Sequence, residues 1–147
     1  MLDTPAELIG SLIVWLTIGF AMWKGGRPER VAALGMLLAW LGTVVLQNRS
    51  NWIDPQYGIM AVDGALLVVL LWVALRTSRR WALFATAVHL LGLGAHISMA
   101  LDLRIESFAY LTTLAIWTYG VLLALFLGTL LEAMPERRRL RASGATG

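Results

Sequence analysis

Three ionisable side chains stand inside long apolar stretches of the sequence: Asp63, His89 and His96. An ionisable residue within a membrane span is costly, and it usually faces the interior of a helix bundle or a water-filled cavity. A carboxylate beside an imidazole can exchange a proton near neutral pH, because each group changes the proton affinity of the other. These residues are therefore the first candidates for any chemistry of the chain.

Depth within the predicted helices links two of these residues to two polar side chains further along the chain. Asp63 and His96 each lie five residues from the same end of their helices, or about 7.5 Å at about 1.5 Å per residue. Thr113 has the same depth, and Tyr110 lies one turn above it. We therefore predict a polar cluster of Asp63, His96, Thr113 and Tyr110. His89, roughly 18 Å from that end, would extend a proton relay towards the other side.

Several interpretations of this cluster stay open. In the structural one, Asp63 bonds to His96, His89 donates to a backbone carbonyl, and the set only fixes the helix register. In the functional ones, the cluster moves a proton or a solute, or it binds a ligand. A shared metal ion is disfavoured, because His89 and His96 are about 10.5 Å apart along one helix axis. A haem would need a histidine from a second chain.

The sequence also lacks the parts that common catalytic and metal sites use. It has no cysteine, which excludes thiolate metal ligands and cysteine nucleophiles. It contains no serine-hydrolase elbow, no zinc-protease motif and no P-loop. We therefore predict no metal site, no cofactor and no catalytic residue, so that the chain is not an enzyme.

The elements that must position the polar residues are five apolar stretches separated by short polar segments. They cover residues 8–23, 31–46, 58–75, 81–101 and 108–131. Charged residues make up only 14% of the chain, against about 25% in soluble domains. A helix needs about 20 residues to cross a bilayer. The sequence therefore predicts an all-α bundle of five transmembrane helices, one domain over residues 1–134, followed by a basic, disordered tail over 135–147.

The placement of the basic residues predicts the orientation of the bundle. Ten of the twelve follow the first, third and fifth apolar stretches: Lys24, Arg27, Arg30, Arg76, Arg79, Arg80, Arg137, Arg138, Arg139 and Arg141. Basic residues near span ends stay in the cytoplasm, which predicts an outer N-terminus and a cytoplasmic C-terminus. Because these charges lie on short turns against the membrane, we predict no nucleic-acid partner. The predicted partners are the lipid bilayer and either other membrane-protein subunits or further copies of the chain.

Small residues at helical spacing predict how the helices pack. On the fourth stretch, one face carries both histidines and four small or flexible residues: Ala82, Ala85, His89, Gly92, His96 and Met99. Small residues let helices approach closely, so this face should point into the bundle. A second packing seam is predicted on the second stretch at Gly35, Ala39 and Gly42.

The last two apolar stretches resemble a pattern found in small multi-spanning bacterial inner-membrane proteins. The similarity rests on residues 96–102, Ala109-Tyr110, Trp117, Tyr119 and the Leu/Gly-rich end of the fifth stretch. It implies a location in the bacterial inner (plasma) membrane, and it implies no activity and no site residue.

Two functions fit these features. The first is a non-catalytic accessory or assembly subunit that packs against a larger membrane complex, as the small size, short loops and lack of catalytic motifs indicate. The alternative is a small oligomeric proton-linked transporter or channel that uses Asp63, His89 and His96 as its polar pathway.

Overall fold

The computed structural model describes residues 5–46, 57–101 and 107–134, which form five α-helices and contain no strand. The helices are α1 (Pro5–Lys24), α2 (Arg27–Leu46), α3 (Tyr57–Arg76), α4 (Arg80–Leu101) and α5 (Ser107–Ala133). The predicted all-α bundle of five helices is thus confirmed. The predicted tail over 135–147, the segment 47–56 and the segment 102–106 lie outside the described residues.

Four of the five helices, α2 to α5, are long and apolar enough to cross a membrane. In α1 the apolar stretch runs over Leu8–Lys24 and is shorter. The helices extend beyond the predicted apolar stretches, and α2 begins four residues before the predicted boundary, at Arg27. Pro28 lies in its first turn, where a missing N–H costs nothing, so the proline is compatible with this earlier start of the helix.

The helices form a closed ring in chain order. Each helix packs against the next one along the chain, α1 packs against α5, and α2 also contacts α5. Helices joined by short connections tend to pack as antiparallel neighbours. The starts of α2 and α4 therefore lie with the ends of α1, α3 and α5, and we call this the basic end of the bundle.

The close-packed core fills the half of the ring towards the basic end. Leu70 and Leu125 are completely buried there. All six residues of the seam predicted on α4 are buried, and Val88 joins them. On α2, a Cβ atom at Gly35 would lie 3.0 Å from Val69 of α3, so glycine permits the close approach of these two helices. Both packing seams are confirmed.

Large apolar side chains cover the outer surface of every helix. Exposed examples, one from each helix in order, are Leu16, Leu38, Val68, Leu90 and Leu123. Soluble monomers rarely expose contiguous apolar surface on this scale. Such a surface suits the hydrocarbon of a bilayer, where helices also satisfy their own backbone hydrogen bonds.

Candidate functional site

Three side chains from three helices form a continuous hydrogen-bonded chain. His96 Nε2 on α4 lies 2.8 Å from Asp63 Oδ2 on α3. The hydroxyl of Tyr110 on α5 lies 2.7 Å from His96 Nδ1. His96 and Tyr110 are buried, and their rings meet edge-to-face with centroids 5.6 Å apart. The structure thus brings together three residues of the predicted cluster, and both nitrogens of His96 are engaged.

His89 lies next to this chain without being part of it. Its Nε2–H donates to the backbone carbonyl of Asp63 over 2.9 Å, while the Asp63 carboxylate bonds to His96. A backbone carbonyl has no proton to pass on. The hydrogen bonds of the described residues therefore do not extend the predicted relay through His89. This bond is the one that the structural interpretation expected of His89.

The structure does not bring Thr113 into the hydrogen-bonded chain. Its hydroxyl donates to the carbonyl of Ala109, one turn back in α5, over 2.8 Å. Helix positions turn by about 100° per residue, so Thr113 lies about 160° around α5 from Leu111 and Ala115, which line the cavity described below. Equal depth fixed its height in the bundle correctly, but it did not fix its direction around the helix.

The hydrogen-bonded chain borders a cavity of about 250 Å³. All five helices contribute to its wall, beginning with Val14 of α1. The polar side chains of the wall are Thr43, Asp63, His89, His96, Tyr110 and Thr118. The remainder is almost entirely apolar and includes the indole rings of Trp40 and Trp117. Apolar walls with a few convergent polar groups are typical of small-molecule sites.

The cavity is closed towards the basic end. Its floor is formed by Leu66, Val121 and Leu122, which also belong to the hydrophobic core. One turn further, Leu70 and Leu125 are completely buried. The site is therefore a pocket in the half of the bundle away from the basic end, and its floor separates it from that end.

A second polar cluster, which the sequence analysis missed, lies at the basic end. Glu29 in the first turn of α2 has a completely buried side chain. Its Oε1 accepts from Trp81 Nε1–H over 2.9 Å, and its Oε2 accepts from the backbone N–H of Gly26 over 3.0 Å. Arg79 Nη1 lies 3.3 Å from Glu29 Oε1 and 2.6 Å from Glu132 Oε2. We call these residues the basic-end clamp, since they join α2, α4 and α5.

Two glycines allow close approaches of other atoms beside the clamp. A Cβ atom at Gly128 would lie 2.4 Å from the Trp81 ring, which therefore packs flush against α5. A Cβ atom at Gly25 would lie 2.4 Å from the carbonyl oxygen of Ala21, whose hydrogen bond from Gly25 N–H ends α1. These close approaches explain why glycines occupy both positions.

The sequence did contain a signal for the clamp. Gly26 and Glu29 have the spacing of an N-cap residue and the carboxylate that reaches back to its N–H. In the charge pattern, Arg79 counts with its neighbours only as an orientation charge. That pattern does not show that the side chains of Arg79 and Trp81 point inward, towards a buried carboxylate.

Comparison with known proteins gives no relative for this chain. No family model, no curated protein and no solved structure matches it. The resemblance to small bacterial inner-membrane proteins therefore stays a prediction, and the function has to be argued from the site itself.

Proposed function

We propose that this protein is an integral membrane protein that binds a small molecule in this cavity. We further propose that it exchanges a proton at His96 when the molecule binds. One observation carries the proposal. The Tyr110–His96–Asp63 chain borders a cavity that is lined by all five helices. A set of side chains that only fixed the helix register would not need a space of about 250 Å³ beside it.

The geometry of His96 gives the chain two hydrogen-bonding states. When His96 is neutral, its Nε2–H donates to Asp63, and its bare Nδ1 accepts the hydroxyl hydrogen of Tyr110. When His96 is protonated, both nitrogens donate, and the hydroxyl hydrogen of Tyr110 becomes available to another acceptor. One proton on His96 thus decides whether Tyr110 offers its hydrogen to the protein or to a molecule in the cavity.

The closed floor favours binding over conduction through a single chain. A channel needs a continuous polar path, but Leu70 and Leu125 fill the bundle beyond the cavity. Of the two functions predicted from the sequence, the proton-linked one is therefore retained here in the form of a binding site. The accessory-subunit function stays a prediction that the preparation described below also tests.

Cavity-filling variants test whether the pocket holds a small molecule. Ala115 lines the cavity at an exposed position of α5, whereas its neighbour Ile116 is exposed outside it. Protein purified in mild detergent is extracted with solvent, and the extracted small molecules are identified by mass spectrometry. We expect a near-stoichiometric compound with the wild type and with Ile116→Trp. Ala115→Trp should reduce the amount recovered at least tenfold, which requires a loss of more than about 1.4 kcal/mol of binding free energy.

A second filling variant guards against a folding artefact. Ala39→Phe adds bulk from the α2 side of the same cavity, and Leu38→Phe is its control on the exposed side of that helix. Equal recovery of the compound from all variants, or no compound from the wild type, would contradict the proposal. A larger membrane protein co-eluting stoichiometrically would instead establish the accessory-subunit function.

We further propose that all five helices cross the bacterial inner membrane, with the N-terminus outside and the basic end in the cytoplasm. The support is that the basic side chains of the described residues cluster at the basic end: Lys24, Arg27, Arg30, Arg76, Arg79 and Arg80. α1 is included because its helix has 20 residues, which is about the length that a span requires.

The natural absence of cysteine makes this topology directly testable. Single variants Thr4→Cys, Ser50→Cys and Ser78→Cys are labelled in intact cells with a membrane-impermeant thiol reagent. We expect Thr4→Cys and Ser50→Cys to react from outside, and Ser78→Cys to react only after the membrane is permeabilised. Labelling of Thr4→Cys only after permeabilisation would show that α1 does not cross, and a fully inverted pattern would reverse the orientation.

A further inference from the structure

We infer that the ligand of the cavity is a lipid-soluble, neutral, planar ring compound with a carbonyl oxygen, of the quinone class. The inference rests on the proposed function and adds the chemical identity of the molecule bound. Three features of the cavity support it: the side on which it opens, the shape of its walls, and the hydrogen-bonding character of its polar corner. Asp63, His96 and Tyr110 form this polar corner.

The cavity opens along the flank of α5. Leu111, Ala115 and Thr118 all line it, and all three are exposed on the outer surface of the bundle. The outer surface of the bundle is largely apolar, with Leu12 of α1 and Ile116 of α5 among its exposed side chains. An opening in such a surface faces lipid, so the ligand is a molecule that dissolves in the bilayer.

The size and walls of the cavity fit a flat ring system. An apolar cavity of about 150 Å³ accommodates benzene, so a volume of about 250 Å³ accommodates two fused rings. Trp40 is held by an edge-to-face contact with Trp15, with centroids 5.4 Å apart. Trp117 is fixed against Gly92, where a Cβ atom would lie 3.4 Å away. The two indoles of the cavity lining offer flat surfaces on which an aromatic ring packs well.

The polar corner selects a neutral acceptor. The titratable side chains of the wall are Asp63 from α3, His89 and His96 from α4, and Tyr110 from α5. The residues of α1 and α2 in the wall do not titrate: Val14, Met36, Ala39, Trp40 and Thr43. An anionic ligand such as a fatty acid would meet the Asp63 carboxylate. The donor that protonation of His96 releases is the Tyr110 hydroxyl, and its natural partner is a carbonyl oxygen.

Binding of a matched pair of probes tests this inference. The purified protein in lipid nanodiscs is titrated with 2-methyl-1,4-naphthoquinone, and quenching of tryptophan fluorescence is recorded. The competitor is 2-methylnaphthalene, which has the same rings and no carbonyl group. We expect saturable quenching that Trp40→Phe and Trp117→Phe reduce and that Trp72→Phe, on the exposed side of α3, retains. The hydrocarbon should compete at least tenfold less well.

The variant Tyr110→Phe tests the hydrogen bond itself. In the wild type, affinity for the naphthoquinone should rise as the pH falls, because a protonated His96 frees the Tyr110 hydroxyl. Tyr110→Phe should bind about three- to tenfold more weakly at low pH, as expected for one lost hydrogen bond, and its affinity should not change with pH. Non-saturable quenching, equal affinity of Tyr110→Phe, or equal competition by the hydrocarbon would overturn the quinone assignment.

The two proposals fail in different ways. If Ala115→Trp releases a bound compound that is not a ring carbonyl, and the naphthoquinone does not bind, the cavity is a binding site and only the ligand class is wrong. If no compound is bound and no probe saturates, both proposals are wrong.

Discussion

Arg79→Ala is expected to lower the free energy of unfolding by about 3–5 kcal/mol, the range for breaking one half of a buried ion pair. Arg79 is the cation beside the completely buried carboxylate of Glu29. Without it, Glu29 keeps its hydrogen bonds from Trp81 and Gly26 but loses its neutralising charge. A buried charge without a counter-ion is among the few changes with so large an effect.

The control for this experiment lies three residues earlier in the same basic turn. Arg76 is exposed, so Arg76→Ala should stay within about 0.5 kcal/mol of the wild type. Unfolding is measured by denaturant titration in the same detergent for all variants. Adding Glu29→Gln to Arg79→Ala should recover part of the loss, because the amide carries no charge. Similar effects of Arg76→Ala and Arg79→Ala would show that the clamp is only a surface contact.

The same pair of arginines shows how far sequence reasoning about the fold extends. Hydropathy predicts the five helices, since a long apolar run in a helical chain has few alternative structures. Small residues at spacings of three and four predict the seam of α4, because helical periodicity is visible along the chain. The difference between Arg76 and Arg79 is not visible in this way. It depends on which side of a short turn faces Glu29, a residue about fifty positions earlier in the chain.

The sequence predicted how deep the residues of the candidate site lie in the bundle. It predicted only partly which way their side chains point around the helices. Counting residues from the helix ends brought Asp63 level with His96, and the two side chains are in contact. The same count included Thr113, whose direction around α5 depends on how that helix is rotated against its neighbours. Helix rotation is set by the packing of whole faces, such as Gly92 on Trp117 and Gly120 on Val88. A single sequence does not specify those pairings.

The cavity was the least predictable feature, because it is an empty space between elements. Its walls combine residues that look ordinary separately, such as Val14, Leu66 and Leu114. Packing normally fills protein interiors to near-crystal density. A ring of five helices that packs tightly at the basic end and leaves space at the other end therefore needs a physical reason. Binding of a ligand supplies that reason, and the second large prediction tests it against a purely structural one.

His96→Leu and Asp63→Leu are each expected to destabilise the protein by about 2–3 kcal/mol. The estimate is below the usual range for a buried pair because the Asp63 side chain is 22% exposed. In His96→Leu, Asp63 must stay charged without its partner or take up a proton. In Asp63→Leu, the imidazole loses its acceptor. The double variant should return to within about 1 kcal/mol of the wild type, since apolar replacements of a buried pair are often nearly neutral.

The double variant separates the structural interpretation of the cluster from the functional one. If Asp63 and His96 only fix the packing of α3 against α4, a variant with restored stability should retain every property of the wild type. If they form the polar corner of a binding site, the same stable variant should lose the co-purifying small molecule and the pH-dependent binding of the naphthoquinone. Thr129→Val is the control, because Thr129 is buried outside the cavity and its hydroxyl donates to the carbonyl of Leu125, so this variant should retain both the small molecule and the pH dependence. A stable double variant that still binds with an unchanged pH profile would assign the cluster to packing alone.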